Sequence, residues 1–378
     1  MTKNSLAILH FNPIELYPPI TNLLNYLGEH FPSLKIYVFT NSTSNRIPLY
    51  SNRKKNIVIE RFAEMNINFP LIKRFRNYLS YYLGTYKSLK KIHPEWIWYY
   101  ETMSALPVSW YFKKKIFHDT KLLIHYHEYI SPEEYKNDSL VSRLAHQAEK
   151  KLYEIVHLLS HTNETRMKLF LRDNNISLIG RNCIFPNYPP KSWIINQNRK
   201  AVSFPAKIVY VGAIGMETMY IKELCEWVDK QNGKVIFDIY SSQDTTAVRS
   251  LLSEKQYKFI TVKGFVSYDD LPLVLSDYNV GVILYKGHIP NYIYNAPNKL
   301  FEYWACGVDV WFPEIMEGCM PYTTLNVFPK VIPINFDKLD RINLLSFIDH
   351  TSLLYKHSEY YCEKIFESVI QKGLGLTA

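Results

Sequence analysis

The stretch "PNKLFEYWACGVDV", residues 297–310, runs a short helical pattern into the start of a strand. Asn295 or Asn298 can cap the helix, Pro297 suits its first turn and Gly307 suits its end. Asn295, Asn298, Lys299 and Glu302 recur at i, i+3, i+4 and i+7 and so share one stripe. Leu300, Phe301, Trp304 and Ala305 fall on the other side, where they can pack on a sheet. A strand-like run ending at Tyr285 and a long loop, "KGHIPNYIYNA", precede the helix. Its start is therefore expected at the carboxyl edge of a sheet. A helix N-terminus carries unpaired N–H groups and a partial positive charge, which suits a phosphate. Lys299 adds a full charge there, and Glu302, one turn on, can accept hydrogen bonds from ribose hydroxyls. The same residues also fit a capped helix with an exposed Lys–Glu pair, and spacing alone does not separate the two.

Outward from this stretch, short apolar runs alternate with helical patterns. Strands are expected at 6–11, 35–40, 56–62, 95–100, 121–127 and 157–162, with helices near 14–28, 70–92, 104–117, 138–154 and 163–174. "IFPNYPPKSWIINQNRK" (184–200) is rich in Pro and Asn and reads as a linker. The alternation then resumes, with strands at 207–212, 234–240, 258–265, 279–285 and 309–313 and helices near 219–232, 245–254, 268–276 and 298–306. A last helical pattern covers about 342–372. Such alternation predicts parallel sheets covered on both faces. Two doubly wound α/β domains follow, over 1–190 and 201–349. Ligands of such sheets bind at the carboxyl ends of the strands, so two facing domains would share a cleft.

With 378 residues, 47% hydrophobic and 21% charged, the chain has the composition of a globular protein large enough for two cores. Its five cysteines are scattered with no C-x-x-C pair, which suggests neither a zinc site nor a disulfide framework and points to a reducing compartment. No apolar run approaches the roughly 20 residues that span a bilayer, and the N-terminus lacks the apolar core of a signal peptide. Residues 1–200 hold 28 Lys and Arg against 15 Asp and Glu, a balance of +13; residues 201–378 hold 16 against 20, or −4. The basic residues cluster at Arg53–Lys55, Lys73–Arg76, Lys87–Lys91 and Lys113–Lys115. The first half is thus expected to meet something anionic, an anionic membrane surface or a lipid-linked acceptor, unless these faces are merely solvated. No nucleic-acid partner is expected, because nothing resembles an RNA- or DNA-binding module.

"PNKLFEYWACGVDV" resembles the donor-site signature P-x-K-L-x-E-x-x-A-x-G-x-P-V of retaining GT-B glycosyltransferases related to family 4. Pro297, Lys299, Leu300, Glu302, Ala305, Gly307 and Val310 match. Asp309 stands where proline is usual, and Tyr294 where many members carry the first glutamate of an E-x7-E pair. The resemblance implies donor contacts from Asn298, Lys299, Leu300 and Glu302. "YVGAIG" (210–215) resembles the first strand and glycine loop of the family's C-terminal domain, where Gly212 and Gly215 would let the backbone approach a diphosphate; a plain tight turn explains the same residues. Lys222 is the first cation after this loop and a candidate for the diphosphate. "VKGFVSYDDLPLVLSDYNVGVILY" (262–285) is similar to another family segment, in which backbone near Val266 meets the base and Asp277 is structural.

In the first half, "HYHEYISPEEY" (125–135) resembles the family's D-x-H-E segment. Its histidine contacts the donor sugar near the reaction centre, so His127 and Glu128 are the candidate catalytic residues. His127 is expected to matter for turnover more than for folding. The H-x-H spacing of His125 and His127 invites a metal reading, but no third ligand is evident. "SHTNETR" (160–166) resembles a helix start of the family, with Thr162 or Asn163 as its cap, and "IFPNYP" (184–189) its interdomain segment. "HFNP" (10–13) falls in the first βα loop. The resemblance covers most of residues 120–320 in order. It implies an α/β GT-B fold, two Rossmann-like domains facing a central cleft, with the last helix (about 350–378) crossing back to the first. It further implies a hexosyltransferase that moves a sugar from a UDP- or GDP-type nucleotide sugar to a lipid-linked or saccharide acceptor. Retention of configuration and a role in bacterial cell-surface polysaccharide or glycoconjugate synthesis follow from the same likeness. No cofactor and no essential metal are expected, and the protein would be cytoplasmic, peripheral on the inner face of the membrane. Alternatives are a nucleotide-sugar 2-epimerase of the same fold and a non-enzymatic polyanion binder.

Overall fold

The computed structural model describes residues 4–43, 48–51, 54–66, 68–114, 119–195, 204–242, 245–344 and 353–377. Arg53 and Lys115 of the basic clusters lie outside them, as do the ends of the 104–117 helical pattern and of the linker and part of the last helical pattern. The chain forms two compact units, one reaching Asn187 and taking in the segment from Cys362 onward, the other spanning Tyr188–Tyr361.

The strands of the first unit are β1 (Ser5–His10), β2 (Lys35–Asn41), β3 (Ile57–Phe62), β4 (Trp96–Tyr100), β5 (Lys121–Tyr126), β6 (Leu158–His161) and β7 (Asn182–Ile184). Among the described residues they form one parallel sheet in the order β3-β2-β1-β4-β5-β6-β7. β4, "WIWYY", is buried at every position. A strand with no polar face belongs in a parallel sheet covered on both sides. The helices between the strands are α1 (Pro18–His30), α2 (Leu71–Ile92), α3 (Ala105–Phe112), α4 (Pro132–Asn137), α5 (Leu140–Lys150) and α6 (Glu164–Asp173). Asn163 rather than Thr162 caps α6, its side chain accepting from the Arg166 amide. The C-terminal helix, Cys362–Leu374, packs here too. Its Phe366 ring lies 5.4 Å from Tyr26 of α1 and 5.8 Å from Phe185. The 342–372 pattern is therefore not one helix, for Leu354–Tyr355 is a short strand before the helix at Cys362; residues 345–352 lie outside the described residues.

The second unit repeats the plan with β8 (Ala206–Val211), β9 (Val235–Tyr240), β10 (Ile260–Gly264), β11 (Val280–Val282), β12 (Asp309–Pro313) and β14 (Val331–Ile334), ordered β10-β9-β8-β11-β12-β14; β13 (Val327–Phe328) pairs with β15 (Leu354–Tyr355) outside this sheet. Its helices are α7 (Ile221–Lys230), α8 (Thr246–Lys255), α9 (Leu271–Leu275), α10 (Pro290–Ile293) and α11 (Asn298–Ala305). Strand periodicity sends Ile208 and Tyr210 into one core with Leu224 and Trp227 of α7. Val209 faces a second core with Leu300, Phe301 and Trp304 of α11. In both sheets the order reverses beside the first strand, between β1 and β4 and between β8 and β11, the place where such folds bind ligands.

Candidate functional site

In the second unit the site is built at the β8–β11 reversal. α11 starts as the sequence suggests, but neither asparagine caps it. Pro297 holds the cap position, Asn298 is the first helical residue, and no side chain covers the first-turn amides. The Leu300 amide donates to the Pro297 carbonyl at 3.0 Å, and the Asn298 and Lys299 amides before it are left for a ligand or water. The helix closes at Gly307, φ +68°, with the Gly307 and Val308 amides donating to Trp304 and Tyr303 carbonyls. Leu300, Phe301 and Trp304 pack into the core as expected, so any part Leu300 plays in donor binding falls to its backbone.

Glu302 is where the structure separates the two readings left open by the spacing. It is not one half of a surface pair. The residue is 6% exposed, its carboxylate accepts no hydrogen bond among the described residues, and Lys299 makes no ion pair with it. Burial pushes its carboxyl up to about 7, and only partial relief comes from the Lys299 charge one turn away. Lys299 itself reaches across the reversal. Its Nζ lies 5.5 Å from the Tyr210 ring and 6.0 Å from Tyr285. A Cβ at Gly212 would sit 2.8 Å from the lysine Cε and Nζ, and φ there is +139°. Gly212 thus makes room for Lys299, while its own amide donates to the Tyr240 carbonyl. The Gly215 amide is engaged inside the loop, 3.3 Å from the Met219 sulfur.

The loop between β8 and α7 is tied to the chain beyond β11. The Tyr220 amide donates to Leu284 O at 2.8 Å, the Lys286 amide to Thr218 O at 2.9 Å, and Met219 bridges Tyr285. Lys222 is exposed in the first turn of α7, and no described contact brings it to Lys299. Lys286 is spent on Glu223 at 2.7 Å. Val266 lies half-buried beyond β10 against the α11 core. Asp309, the departure from the signature, is buried and accepts from the Lys330 amide at 2.7 Å, which steers the chain into β14.

In the first unit the carboxyl ends of the strands carry a cluster the motif reading found only in part. His10 ends β1, Glu101 follows β4, His125 stands near the end of β5 with His127 just after the strand, and His161 ends β6. All four histidines are buried. His125 Nδ1 bonds Ser160 Oγ at 2.9 Å, and His125 Nε2 bonds His127 Nδ1 at 3.2 Å, which is also 3.1 Å from Asn187 Oδ1. Burial drives the His127 imidazole down to about 3, with the nearby His10 as second cause, so the ring is neutral. A neutral ring donating from Nδ1 to Asn187 Oδ1 has a bare lone pair at Nε2, and that nitrogen has no partner. His10 is alike. Burial lowers it to about 4, its Nδ1 donates to the Asn12 carbonyl at 2.6 Å, and its Nε2 is unpartnered. His161 is the reverse, for its Nδ1 accepts from the Thr162 amide and its Nε2 carries the proton. The Tyr17 ring covers the pair, 4.2 Å from His10 and 5.6 Å from His127.

Glu101 holds the segment in place. Its carboxylate accepts from the His127 amide at 2.6 Å and from the Glu128 amide. Burial pushes its carboxyl well up, and its backbone stands at φ +60°, a strained conformation for a residue with a Cβ. Arg166 donates to the His127 carbonyl at 2.7 Å. Glu128 is exposed, and no described contact sets its carboxylate against the His127 ring. His10, Glu101, His161 and Arg166 were missed by motif. The available signal was positional, because three separate apolar runs end in His and one in Glu. The H-x-H pair is joined by a hydrogen bond, and the described residues hold no group of three His, Cys, Asp or Glu arranged for a metal ion.

No family model matches the chain, and neither does any curated protein sequence. Solved structures do match. The apo form of the lipopolysaccharide outer core galactosyltransferase WaaB has TM-score 0.64 at 13% identity, over 98% of this chain and 99% of that one. The fold is GT-B. Sucrose-phosphate synthase of Thermosynechococcus elongatus matches at TM-score 0.60 and 14% identity, over 87% of this chain and 86% of its own. Anabaena HepE in complex with UDP-glucose matches at 0.58 and 12%, over 98% and 91%. At such identities the GT-B likeness speaks for the two Rossmann-like units and not for any chemistry.

Proposed function

We propose that the protein is a glycosyltransferase that takes a sugar from a nucleoside diphosphate, UDP in the first instance, and passes it to a saccharide or lipid-linked acceptor in cell-surface polysaccharide or glycoconjugate synthesis. One observation carries the reading: the buried Glu302 carboxylate has no partner of its own, one turn from Lys299 and an uncapped helix start, at the sheet reversal. A ribose diol supplies two donors to such a carboxylate, and a diphosphate meets the lysine and the helix amides. The similarity to HepE, solved with UDP-glucose, favours UDP over GDP. In the reaction the bond from the anomeric carbon to the diphosphate breaks and the acceptor oxygen takes its place. Lys299 and the first turn of α11 stabilise the charge left on the diphosphate. The His127 Nε2 lone pair is offered to a hydroxyl of the donor sugar. Asn298 and Val266 flank the nucleotide, with Glu128 beside His127. Retention of configuration rests on the motif likeness, as does catalysis without cofactor or essential metal; work at the inner face of the membrane rests on the +13 balance of residues 1–200.

A thermal-shift screen against UDP, GDP, ADP, CMP and their common sugars tests this. A nucleotide at 100 times its Kd should stabilise the unit that binds it by about 2.7 kcal/mol. Stabilisation by none of them sinks the reading, and turnover of the nucleotide sugar to its epimer without acceptor redirects it. His127→Ala is expected to lower turnover at least tenfold. Because His127 is buried and hydrogen-bonded, folding is expected to suffer as well. Truncation strips partners from His125 and Asn187 and leaves a cavity beside Tyr17 and Tyr100, at about 2–4 kcal/mol. Turnover should therefore be read per folded molecule, and near-normal turnover would make His127 purely structural.

A further inference from the structure

The loop after β1 is pinned on every side. The Phe11 amide donates to Ser104 Oγ at 2.9 Å, and the Phe11 carbonyl accepts from Asn41 Nδ2 at 2.7 Å. The Asn12 carbonyl accepts from Thr40 Oγ1 at 2.8 Å and from His10 Nδ1 at 2.6 Å. A carbonyl only accepts, so the His10 proton sits on Nδ1 and a lone pair on Nε2. These bonds fix the ring, its tautomer and the loop around it, yet Nε2 itself has no partner among the described residues. The register of β1 with β4 sets His10 beside Tyr100, on one face of the sheet. Tyr100 is 1% exposed, and its hydroxyl too has no partner among the described residues. With His127 Nε2 these make three unpartnered polar atoms, on buried rings whose centres lie 6.0, 6.3 and 5.4 Å apart. Each unpaired polar group in a dry interior destabilises the fold. Three together at the reversal of a sheet mark a place kept for a ligand.

The three atoms set the chemistry of that ligand. Two are lone pairs of neutral rings, because burial keeps His10 and His127 unprotonated at pH 7. The third is a hydroxyl, which gives or takes. Among the charged groups nearby, Arg166 turns Nη1 to the His127 carbonyl and Thr162 Oγ1, and Glu101 and Glu128 are acidic. A phosphate or carboxylate would set lone pairs against lone pairs, whereas hydroxyl groups supply the missing donors. Two hydrogen bonds of about 2.8 Å each, from hydroxyls of one sugar ring, suit imidazoles set this far apart. Tyr17 lies over both imidazoles, its hydroxyl held by Asn12 Nδ2 at 3.0 Å, so the ligand reaches them by displacing this ring. We propose that His10 Nε2 and the Tyr100 hydroxyl are sugar-binding groups which, with His127 Nε2, make the first unit select a neutral sugar through two of its hydroxyls and refuse an anionic one. The inference rests on the transferase reading for the supply of such a ring, which comes from the donor or from a saccharide acceptor.

The test is titration of the full chain at pH 7 with UDP, with UDP-glucose, UDP-galactose, UDP-N-acetylglucosamine and UDP-glucuronate, and with the free neutral sugars in the presence of UDP. Tyr100→Phe removes one oxygen from a place where it has no protein partner, so the melting temperature should hold or rise. The same variant should bind the neutral sugar about three- to tenfold more weakly, the contribution of one neutral hydrogen bond, and UDP alone as before. His10→Gln can set an oxygen near the place of Nε2 and should keep more sugar affinity than His10→Phe, which accepts nothing. A loss seen with the UDP-sugars assigns the site to the donor, and a loss confined to the free sugars assigns it to the acceptor. Should UDP fail to bind wild type, the transferase reading falls by itself, and the free sugars titrated without it decide this one. Unchanged sugar binding by both Tyr100→Phe and His10→Phe would overturn the proposal. So would a melting temperature lowered by Tyr100→Phe, a wild type that binds UDP-glucuronate better than every neutral UDP-sugar, or one that binds no neutral sugar in any form.

Discussion

Brought from pH 7 to pH 5, the unit built on β1–β7 is expected to lose stability, with His10 and His127 alone contributing on the order of 4 kcal/mol, a large part of what a domain of this size has. The cause is the cluster of four buried imidazoles. In the unfolded chain each titrates near 6.5. In the native state burial holds His10 near 4 and His127 near 3, and His125 and His161 well below their ordinary value. Their folded values are depressed, so below about 6.5 the unfolded chain takes up protons that the native one refuses, and stability falls as pH falls. Glu101 opposes this. Its raised carboxyl favours the proton in the native state, so it offsets part of this loss over the same range. Four histidines outweigh one glutamate. Melting curves followed at half-unit steps of pH check the result, and His161→Gln should make the slope shallower whatever it does to stability at pH 7. A melting temperature flat from pH 7 to 5 would show that the imidazoles are protonated in place.

Glu302→Gln should act on the other unit in two opposite ways. Wild-type Glu302 titrates near 7 when folded and 4.5 when unfolded. Its folded value is raised, so stability falls as pH rises from 4.5 to 7, by about 3 kcal/mol. Glutamine carries no such cost. The variant should melt about 6–12 °C above wild type at pH 8 and level with it at pH 4. Nucleotide binding moves the other way. The charge-assisted bonds from ribose hydroxyls are lost, so affinity at pH 8 should fall at least tenfold. Wild-type affinity should also rise by up to tenfold per pH unit as pH approaches 7 and then level off, while the variant stays flat. Calorimetric titration at pH 6 and pH 8 decides this. A variant that gains no stability and binds as tightly as wild type would leave Glu302 without the role assigned to it.

Apolar runs such as "WIWYY" and "KLLIHY" are unbroken by polar residues, and a fully buried parallel strand can be read from them alone. The plan of both sheets was legible for that reason. β14 was not, because Pro329 and Pro333 interrupt "PKVIPI"; the strand lies at the edge of its sheet, where a missing N–H is tolerated. The last helix was drawn too long, since "LLYK" keeps an apolar rhythm while Leu354 and Tyr355 pair with β13. At the site, Lys299 and Glu302 were legible from the i, i+3 stripe, but not the burial of Glu302, which depends on what α11 meets in space. The asparagine cap failed because Pro297 already sets the backbone there. His10, Glu101 and His161 are far apart in sequence and meet only through the order β1-β4-β5-β6, which no local pattern reveals.

The ties between the β8–α7 loop and the chain beyond β11 bear on timing. Three backbone contacts, through Tyr220, Lys286 and Met219, close that loop against its neighbour before any ligand arrives. Ordering it is a cost of folding and not of association. Capture of a nucleotide by this unit should then run at a rate set by diffusion and charge, in a single kinetic phase, with most differences among nucleotides lying in how long each one stays.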